Sequence, residues 1–287
     1  MKKIVIGSAN FNQNYGLYNF KYSNNIIKNK FLKIFKKKKL SYIDISFDYN
    51  LTKNFFKKVN FKNFKVISKI KLPKKNIKLF IDNLESRLKN QINHLKVKKF
   101  YALLFHNCED LKTRYGKQFL NELKKLKNKN YFDKLGVSIY DPNELNNIFK
   151  KFEPEIVQVP INIFDQRILN SEWIKNLKKK KILIQARSIF LQGLILSKIN
   201  DIKFRKSKLK VQYHLKKFNR LCVKNKVSRL EACIIFIKNI NEIDLITVGF
   251  NSEKELLEIL KAFKLKKKID FSKLKVLDKK ITDPRKW

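Results

Sequence analysis

The chain alternates short apolar runs with longer segments whose apolar residues recur at three- and four-residue steps. Continuously apolar runs are typical of strands in a parallel sheet covered by helices, and the longer spacing is typical of amphipathic helices. Eight runs are predicted as strands, over residues 4–6, 42–44, 65–69, 100–106, 134–138, 156–159, 182–186 and 245–248. Helices are predicted over 24–35 and 77–95, around 119–126, and after Asp141 and Ser252.

Eight strands separated by helices indicate the α/β class, and we predict a single (β/α)8 TIM barrel. An open doubly wound sheet is the alternative, but it usually carries a G-x-G-x-x-G segment after its first strand. Here Gly7 is followed by Ser8 and Ala9. The 287 residues suffice for one barrel, predicted over residues 1–264, with a basic C-terminal tail over 265–287 packing on it.

Two helix starts carry capping signals. Asp141 is followed by Pro142 and, three residues after the acid, by Glu144. Ser252 is followed three residues later by Glu255. The first pattern predicts a helix start with an acid cap. The second predicts a capping box, in which the serine side chain accepts from the Glu N–H and the Glu side chain accepts from the serine N–H.

The charge of the chain suggests a polyanion partner at first sight, because the formal net charge is +43. However, 59 of the 67 basic residues are lysines and 8 are arginines. Lysine, asparagine, isoleucine and phenylalanine are abundant together and share A/T-rich codons. We interpret the lysines as solvated helix faces, and expect no specific nucleic-acid partner. A nucleic-acid binder remains the alternative if the basic side chains cluster on one face.

The cysteines and the lengths of the apolar runs predict the compartment and the absence of a metal site. Cys108, Cys222 and Cys233 are odd in number and lack metal-ligand spacing, which predicts unpaired thiols in a reducing compartment and no metal site. The apolar stretch after Met1 is too short for a signal peptide, and no run reaches about 18 apolar residues. We therefore expect a cytoplasmic location and no membrane span.

Three predicted strands end in reactive side chains. Asp44 ends the second strand, Lys69 the third and His106 the fourth, and Tyr49 follows Asp44 by five residues. In a barrel these carboxyl ends meet at one rim, where catalytic residues of this fold lie. An acid, a phenol, an amine and an imidazole suit proton transfer. His94 and His214 lie on predicted helices and are interpreted as structural.

Together these segments resemble the aldo-keto reductase family over residues 4 to about 260. The resemblance rests on the ordered set Asp44 to Tyr49, Lys69, His106, Gly136-Val137-Ser138, Ile156 to Asn162, and Val248 to Ser252. Residues 186–193 and 283–287 resemble a bacterial subgroup often associated with surface-polysaccharide pathways. The resemblance implies an NAD(P)H-dependent oxidoreductase that reduces an aldehyde or ketone, with a sugar derivative among the candidate substrates.

The resemblance also implies roles. Tyr49 would be the general acid, Lys69 would lower its pKa from the unperturbed value near 10, Asp44 would hold Lys69, and His106 would orient the carbonyl. NADPH is the expected cofactor and NADH the alternative. The residues implied in binding it are Gly7, Ser8, Ser138, Gln158, Arg187, Ser188, Leu191, Gln192, Gly193, Gly249, Asn251, Ser252, Lys254 and Glu258.

Within these roles, Ser138 and Gln158 would hold the carboxamide, and Lys254 would be the cation nearest the adenosine phosphate. Arg187 takes the place where relatives often stack an aromatic ring on the nicotinamide. A non-catalytic, nicotinamide-binding regulatory protein of the same fold is the remaining alternative, because fold alone does not fix function. Cofactor binding without turnover of any carbonyl would favour it.

Overall fold

A computed structural model describes residues 2–11, 25–48, 61–199 and 207–287. Eight parallel strands form one closed barrel in chain order, each hydrogen-bonded to the next and the last to the first. The predicted (β/α)8 barrel is therefore confirmed, and the open sheet is wrong. The strands are β1 Lys3–Gly7, β2 Tyr42–Asp44, β3 Lys65–Ile70, β4 Phe100–Phe105, β5 Phe132–Ser138, β6 Ile156–Pro160, β7 Leu183–Arg187 and β8 Leu245–Val248.

Helices follow the strands around the outside of the barrel. They are α1 Asn25–Lys37, α2 Ile77–Asp82, α3 Leu84–Leu95, α4 Gly116–Asn128, α5 Glu144–Ile148, α6 Glu172–Lys179, α7 Lys208–Lys224, α8 Arg229–Lys238, α9 Glu253–Ala262 and α10 Lys279–Thr282. The single helix predicted over 77–95 is divided at Asn83, whose side-chain amide donates to the Leu79 carbonyl at 2.8 Å. The Asn83 N–H also donates to the Leu79 carbonyl and the Arg87 N–H to the Asn83 carbonyl, so the helical bonds continue and the break is a local change of the Asn83 backbone angles.

The barrel interior is filled by alternate strand residues, since successive side chains point to opposite faces of a sheet. The buried apolar members of this inner cluster are Val5, Tyr42, Ile67, Ala102, Leu104, Ile156 and Leu245. The intervening residues, such as Ile6, Ile43 and Leu103, point outward and pack under the helices. Asp44, Lys69 and Gln158 each lie two residues beyond an inner-cluster member, so the same alternation turns them into the barrel.

Gly136 allows β5 and β6 to approach closely. A Cβ atom at this position would lie 2.2 Å from the carbonyl oxygen of Ile156, which is backbone and cannot move aside. The two strands pair at this point, with Gly136 opposite Ile156. A larger residue would push the strands apart, and two residues later Ser138 and Gln158 would lose their register.

The C-terminal segment packs against the barrel through main-chain and side-chain bonds. The Val276 N–H donates to the Phe164 carbonyl at 2.9 Å, and Gln166 Nε2 donates to the Phe271 carbonyl at 3.0 Å. Ile281 in α10 is fully buried. These contacts bring the last residues of the chain to the carboxyl end of the barrel, where Pro284 and Arg285 line a cavity.

Exposed lysines lie on helices around the barrel rather than on one of them. Examples are Lys36 on α1, Lys124 on α4, Lys175 on α6, Lys216 on α7 and Lys261 on α9. None of the helices in the described part of the chain is long and apolar enough to cross a membrane.

Candidate active site

A buried ion pair lies at the carboxyl end of β2 and β3. Lys69 Nζ donates to Asp44 Oδ1, and the two side chains are 4% and 7% exposed. Burial lowers the pKa of Lys69, and the Asp44 carboxylate opposes part of that shift. Removing either partner would leave the other charge buried without compensation. The structure thus brings together the acid and the amine that the sequence placed at two strand ends.

The Asp44 carboxylate is also held by two amides. Its Oδ2 accepts from Gln158 Nε2 at 2.6 Å and from Gln185 Nε2 at 3.1 Å. The Ser8 hydroxyl donates to the Asp44 backbone carbonyl at 2.7 Å, which fixes the end of β2 from the β1 side. Bonds from uncharged donors satisfy the remaining lone pairs of a buried carboxylate and rigidify it. Asp44 is therefore the centre of a network that spans four strands.

His106 follows β4 and lies beside the pair. Its Nδ1 is 2.9 Å from Asp48 Oδ2 and 3.3 Å from Ser46 Oγ. An ionised carboxylate only accepts, so Nδ1 carries hydrogen, and in the neutral ring Nε2 is then an acceptor. Burial favours the protonated form of Asp48, but hydrogen bonds from His106 and Lys71 outweigh it and lower the pKa of Asp48.

The fourth predicted catalytic residue, Tyr49, lies outside the described residues, directly after Asp48. The structure therefore brings Asp44, Lys69 and His106 together and leaves the general acid as a prediction.

A cavity of about 920 Å³ opens from this group of side chains. Its volume is at the upper end of the usual range for ligand sites, roughly 300–1,000 Å³. The sequence-predicted residues in its wall are Gly7, Ser8, Asp44, Lys69, His106, Ser138, Gln158, Arg187, Ser188, Gln192, Gly193, Gly249, Asn251 and Glu258. Leu191, Ser252 and Lys254 are not in the wall. Leu191 is buried below its loop, and Lys254 is exposed on a surface depression with Leu257 and Lys261.

The loop after β7 is held in an unusual backbone conformation. Ser188, Leu191 and Gln192 have φ of 57°, 47° and 53°, and Gly193 has φ of 91°. Left-handed non-glycine residues are costly and cluster at ligand sites. The Asn162 amide donates to the Ser188 carbonyl at 3.2 Å and fixes the start of the loop. Three of these four residues line the cavity, so the strain is placed where a ligand would contact the backbone.

Ser138 and Gln158, predicted to hold a carboxamide, bond to each other. The Ser138 hydroxyl donates to Gln158 Oε1 at 2.9 Å, while Gln158 Nε2 is used by Asp44. Both are buried in the cavity wall. Their remaining hydrogen-bonding capacity is the two lone pairs of Ser138 Oγ, the second lone pair of Gln158 Oε1 and one amide hydrogen of Gln158.

The N-terminus of α9 differs from the sequence-based expectation. Ser252 Oγ accepts from the Glu255 N–H at 3.1 Å, which is half of the predicted capping box. The Glu255 carboxylate, however, accepts from the Asn251 N–H at 2.6 Å, one residue before the cap. Glu255 also lines the cavity. The Glu255 carboxylate thus uses the Asn251 N–H, in the segment where the sequence predicted the adenosine phosphate of the cofactor.

The predicted acid cap at Asp141 is present, with Glu144 bonding back to it, although the regular helix begins later than predicted. Helix α5 begins at Glu144, two residues after Pro142, and not at Asp141. Glu144 Oε1 accepts from the Tyr140 and Asp141 N–H groups, and Asp141 Oδ1 accepts from the Asn143 N–H. The acids therefore stabilise the turn that presents Tyr140 to the cavity.

Sequence reasoning missed several cavity residues. Tyr140, Arg229, Glu255 and Arg285 line the wall, and Gln185 holds Asp44 from below. Gln185 had a usable signal, because it is a polar residue within an apolar strand, two positions before Arg187 and on the same face. Arg229 had none, since its placement depends on how α8 packs, and Arg285 had only the resemblance of residues 283–287.

Comparison with known proteins agrees with this site. The model of the aldo/keto reductase family matches residues 3–280. The chain belongs to the aldo/keto reductase family. The protein is therefore an oxidoreductase of the class that acts on carbonyl compounds, as its motifs predicted.

Solved structures of aldo/keto reductases share its fold. The glycerol dehydrogenase of Gluconobacter oxydans has a TM-score of 0.68 at 16% identity, covering 92% of this chain and 87% of that one. An aldo-keto reductase of Bacillus halodurans in its holo form has a TM-score of 0.66 at 14% identity, covering 87% and 86%. A silkworm (Bombyx mori) aldo-keto reductase has a TM-score of 0.64 at 12% identity, covering 95% and 84%. No curated protein matches the sequence.

Proposed function

We propose that this aldo/keto reductase reduces an aldehyde or ketone to an alcohol with NADPH, using Tyr49 as the general acid. The observation that carries the proposal is the buried Asp44–Lys69 pair, which lies in the wall of the 920 Å³ cavity beside His106. A charged pair in the barrel interior costs desolvation, and a role in proton transfer accounts for its position.

The cavity fits a nicotinamide dinucleotide in chemistry and extent. It runs from Lys69 at the barrel centre, past the strained loop at Ser188, to Glu258 on α9. Its wall offers amide and hydroxyl groups and the basic side chains Lys198 and Arg229. Such a cofactor supplies a hydride to the carbonyl carbon.

The chain's own residues handle the proton. The carbonyl oxygen takes a proton from the Tyr49 hydroxyl as its carbon takes the hydride, so a neutral alcohol leaves. The Lys69 ammonium favours the phenolate that remains, and Asp44 fixes the position of that ammonium. His106, whose ring Asp48 fixes through Nδ1, faces the same cavity and orients the carbonyl.

A turnover screen tests the proposal. Purified protein is mixed with aldehydes and keto-sugars, with NADPH or NADH, and the loss of cofactor absorbance is followed. We expect reduction of some carbonyl compounds, with an alcohol formed for each cofactor oxidised. Tight cofactor binding without reduction of any compound would instead favour the non-catalytic alternative.

Cofactor choice depends on a cation that the sequence did not predict. Lys254 is exposed and outside the cavity wall, whereas Arg229 lines the cavity. Arg229 is fixed by bonds from Nη1 to the Ser197 carbonyl at 2.6 Å and from Nε to Asn219 Oδ1 at 3.3 Å. It has no carboxylate partner among the described residues. A positioned guanidinium suits the 2′-phosphate that distinguishes NADPH from NADH.

Arg229→Gln is therefore expected to weaken NADPH binding roughly tenfold to hundredfold, as for a charge-assisted bond of ~1.5–3 kcal/mol. NADH binding should change little. Lys254→Gln is the charge-matched control and should alter neither. Dissociation constants from cofactor fluorescence give the readout without turnover. An effect of Lys254→Gln larger than that of Arg229→Gln would restore the original assignment of the phosphate to α9.

A further inference from the structure

The basic residues of the cavity have an unusual composition. Among all 67 Lys and Arg residues only 8 are arginines, so a random set of five would contain about one. Of the five Lys and Arg residues in the cavity wall, three are arginines, namely Arg187, Arg229 and Arg285. Arginine offers a planar fork of donors that fits carboxylate and phosphate oxygens, which lysine lacks. The cavity wall is thus rich in arginine, whose donors have a fixed geometry, although lysine dominates the basic residues of the whole chain.

Arg187 is the arginine nearest the reaction centre. It is the last residue of β7, and its charge contributes to lowering the pKa of Lys69. Its Nη2 donates to the Ile139 carbonyl at 2.9 Å and its Nη1 to the Ser188 hydroxyl at 3.2 Å. Both partners are neutral, and no carboxylate of the described residues pairs with it. A half-buried guanidinium beside a second buried cation requires compensation by negative charge.

Arg285 approaches the same place from the C-terminal segment. The guanidinium carbon of Arg285 lies 3.8 Å from the centre of the Tyr140 ring, and that of Arg187 lies 4.3 Å from it. One aromatic ring therefore holds both cations in the cavity wall. Asp283 fixes Arg285 through bonds to Nε at 3.0 Å and Nη2 at 2.7 Å, which leaves Nη1 for another acceptor.

The charges at this end of the cavity leave one cation uncompensated. Lys69 is paired with Asp44, and Arg285 with Asp283, while Arg187 has neutral partners. We propose that Arg187 and Arg285 form a binding site for a carboxylate or phosphate group carried by the carbonyl substrate. This inference rests on the proposed reductase function and names the class of its substrate.

The geometry gives each arginine a different part in recognition. Arg187 is half-buried next to the ion pair, so it contributes most of the charge-assisted bonding to the anion. Arg285 is 53% exposed at the cavity rim, where solvent screens its charge, so it contributes less. Contact with the same Tyr140 ring holds both guanidinium groups in one part of the cavity wall, so a single anionic group there is within reach of both.

Matched pairs of probes test this assignment. 4-Carboxybenzaldehyde is compared with methyl 4-formylbenzoate, and glyceraldehyde 3-phosphate with glyceraldehyde, under saturating NADPH. We expect kcat/KM to be at least about tenfold higher for the anion of at least one pair, mainly through KM. A ratio near one for both pairs would overturn the proposal.

Variants locate the selectivity. Arg187→Gln should bring the charged-to-neutral ratio close to one, Arg187→Lys should restore part of it, and Arg285→Gln should lower it by a few-fold. Lys286→Gln, a charge-matched change at the next and exposed residue, should leave the ratio at the wild-type value. If Arg285→Gln loses structure because Asp283 is left unpaired, Asp283→Asn with Arg285→Gln removes both charges.

Binding measurements separate this site from the cofactor. Benzoate or inorganic phosphate should inhibit competitively against a neutral aldehyde and not against NADPH. Competition with NADPH, or an Arg187→Gln variant that weakens NADPH binding without changing the ratio, would assign Arg187 to the cofactor and overturn the proposal. If no carbonyl is reduced at all, the reductase function fails. Calorimetric binding of benzoate or phosphate to the NADPH-mixed protein then tests the anion site directly.

Discussion

Lys69→Met is expected to abolish most carbonyl reduction and to destabilise the fold at the same time. Methionine has a similar length and no charge, so it leaves the Asp44 carboxylate buried without its cation. Breaking a buried ion pair by removing one partner costs about 3–5 kcal/mol. That is a large part of the roughly 5–15 kcal/mol by which proteins of this kind are stable.

The loss of activity has a separate cause. Without the ammonium, the bonds around Asp44 supply no substitute charge for the phenolate of Tyr49, because Gln158 and Gln185 are neutral and already bond to Asp44. We expect kcat to fall by ~10² or more, the range for general-acid catalysis.

Controls on the same strand make the result specific. Lys65→Met changes an exposed lysine at the opposite end of β3, which stacks on Tyr42 and Tyr101 rings, and should cost at most about 1 kcal/mol. Asp44→Asn with Lys69→Met removes both charges and should recover much of the stability without recovering the rate. Denaturant unfolding and steady-state kinetics measure the two effects. Wild-type stability and rate in Lys69→Met would contradict both roles.

The barrel could be predicted from the sequence because the local apolar runs and their order along the chain indicate the same fold. Each strand is a continuous apolar run, and the period of two then predicts which residues turn inward. Asp44 and Lys69 follow Tyr42 and Ile67 by two positions, so their meeting in the interior could be predicted from strand order alone. The acid and the amine need no loop to bring them together, which is why this part of the site was accessible.

The parts that the sequence did not predict depend on packing between distant segments. Arg285 reaches the cavity because residues 271–281 pack on Phe164 and Gln166, more than 100 positions earlier. Glu255 was predicted as a cap, but whether its carboxylate takes the Ser252 or the Asn251 N–H is decided by the turn geometry. Lys254 was predicted from its sequence position to be the cation nearest the adenosine phosphate. It lies instead on the solvent-exposed face of α9, outside the wall of the cavity.

The cavity cations also show why charge counts mislead here. A net charge of +43 describes the surface, where lysines are spread over the helices. The residues that matter for recognition are a few arginines held by aromatic, hydroxyl and carbonyl groups inside the barrel mouth. Composition gives the number of arginines but not their location, so the proposed anion site could be inferred only once the fold was known.

Tyr49→Phe is the second change for which a large effect is expected. Phenylalanine keeps the ring and removes the hydroxyl, so carbonyl reduction should lose its proton donor while the cavity keeps its shape. We expect kcat to fall by roughly 10²–10⁴. NADPH affinity, measured by fluorescence, should stay near the wild-type value. Tyr213→Phe, a matched change at an exposed tyrosine on α7, should leave the rate unchanged.

Combining the two changes tests whether Tyr49 and Lys69 act as one unit. If Lys69 accelerates the reaction only by favouring the Tyr49 phenolate, it has nothing to act on once the hydroxyl is gone. Tyr49→Phe with Lys69→Met should therefore be no slower than the slower single variant, since groups acting in one step are not additive. Losses that multiply would show that Lys69 works through another group, for which His106 in the same cavity wall is a candidate. Near wild-type reduction by Tyr49→Phe would remove Tyr49 from the mechanism.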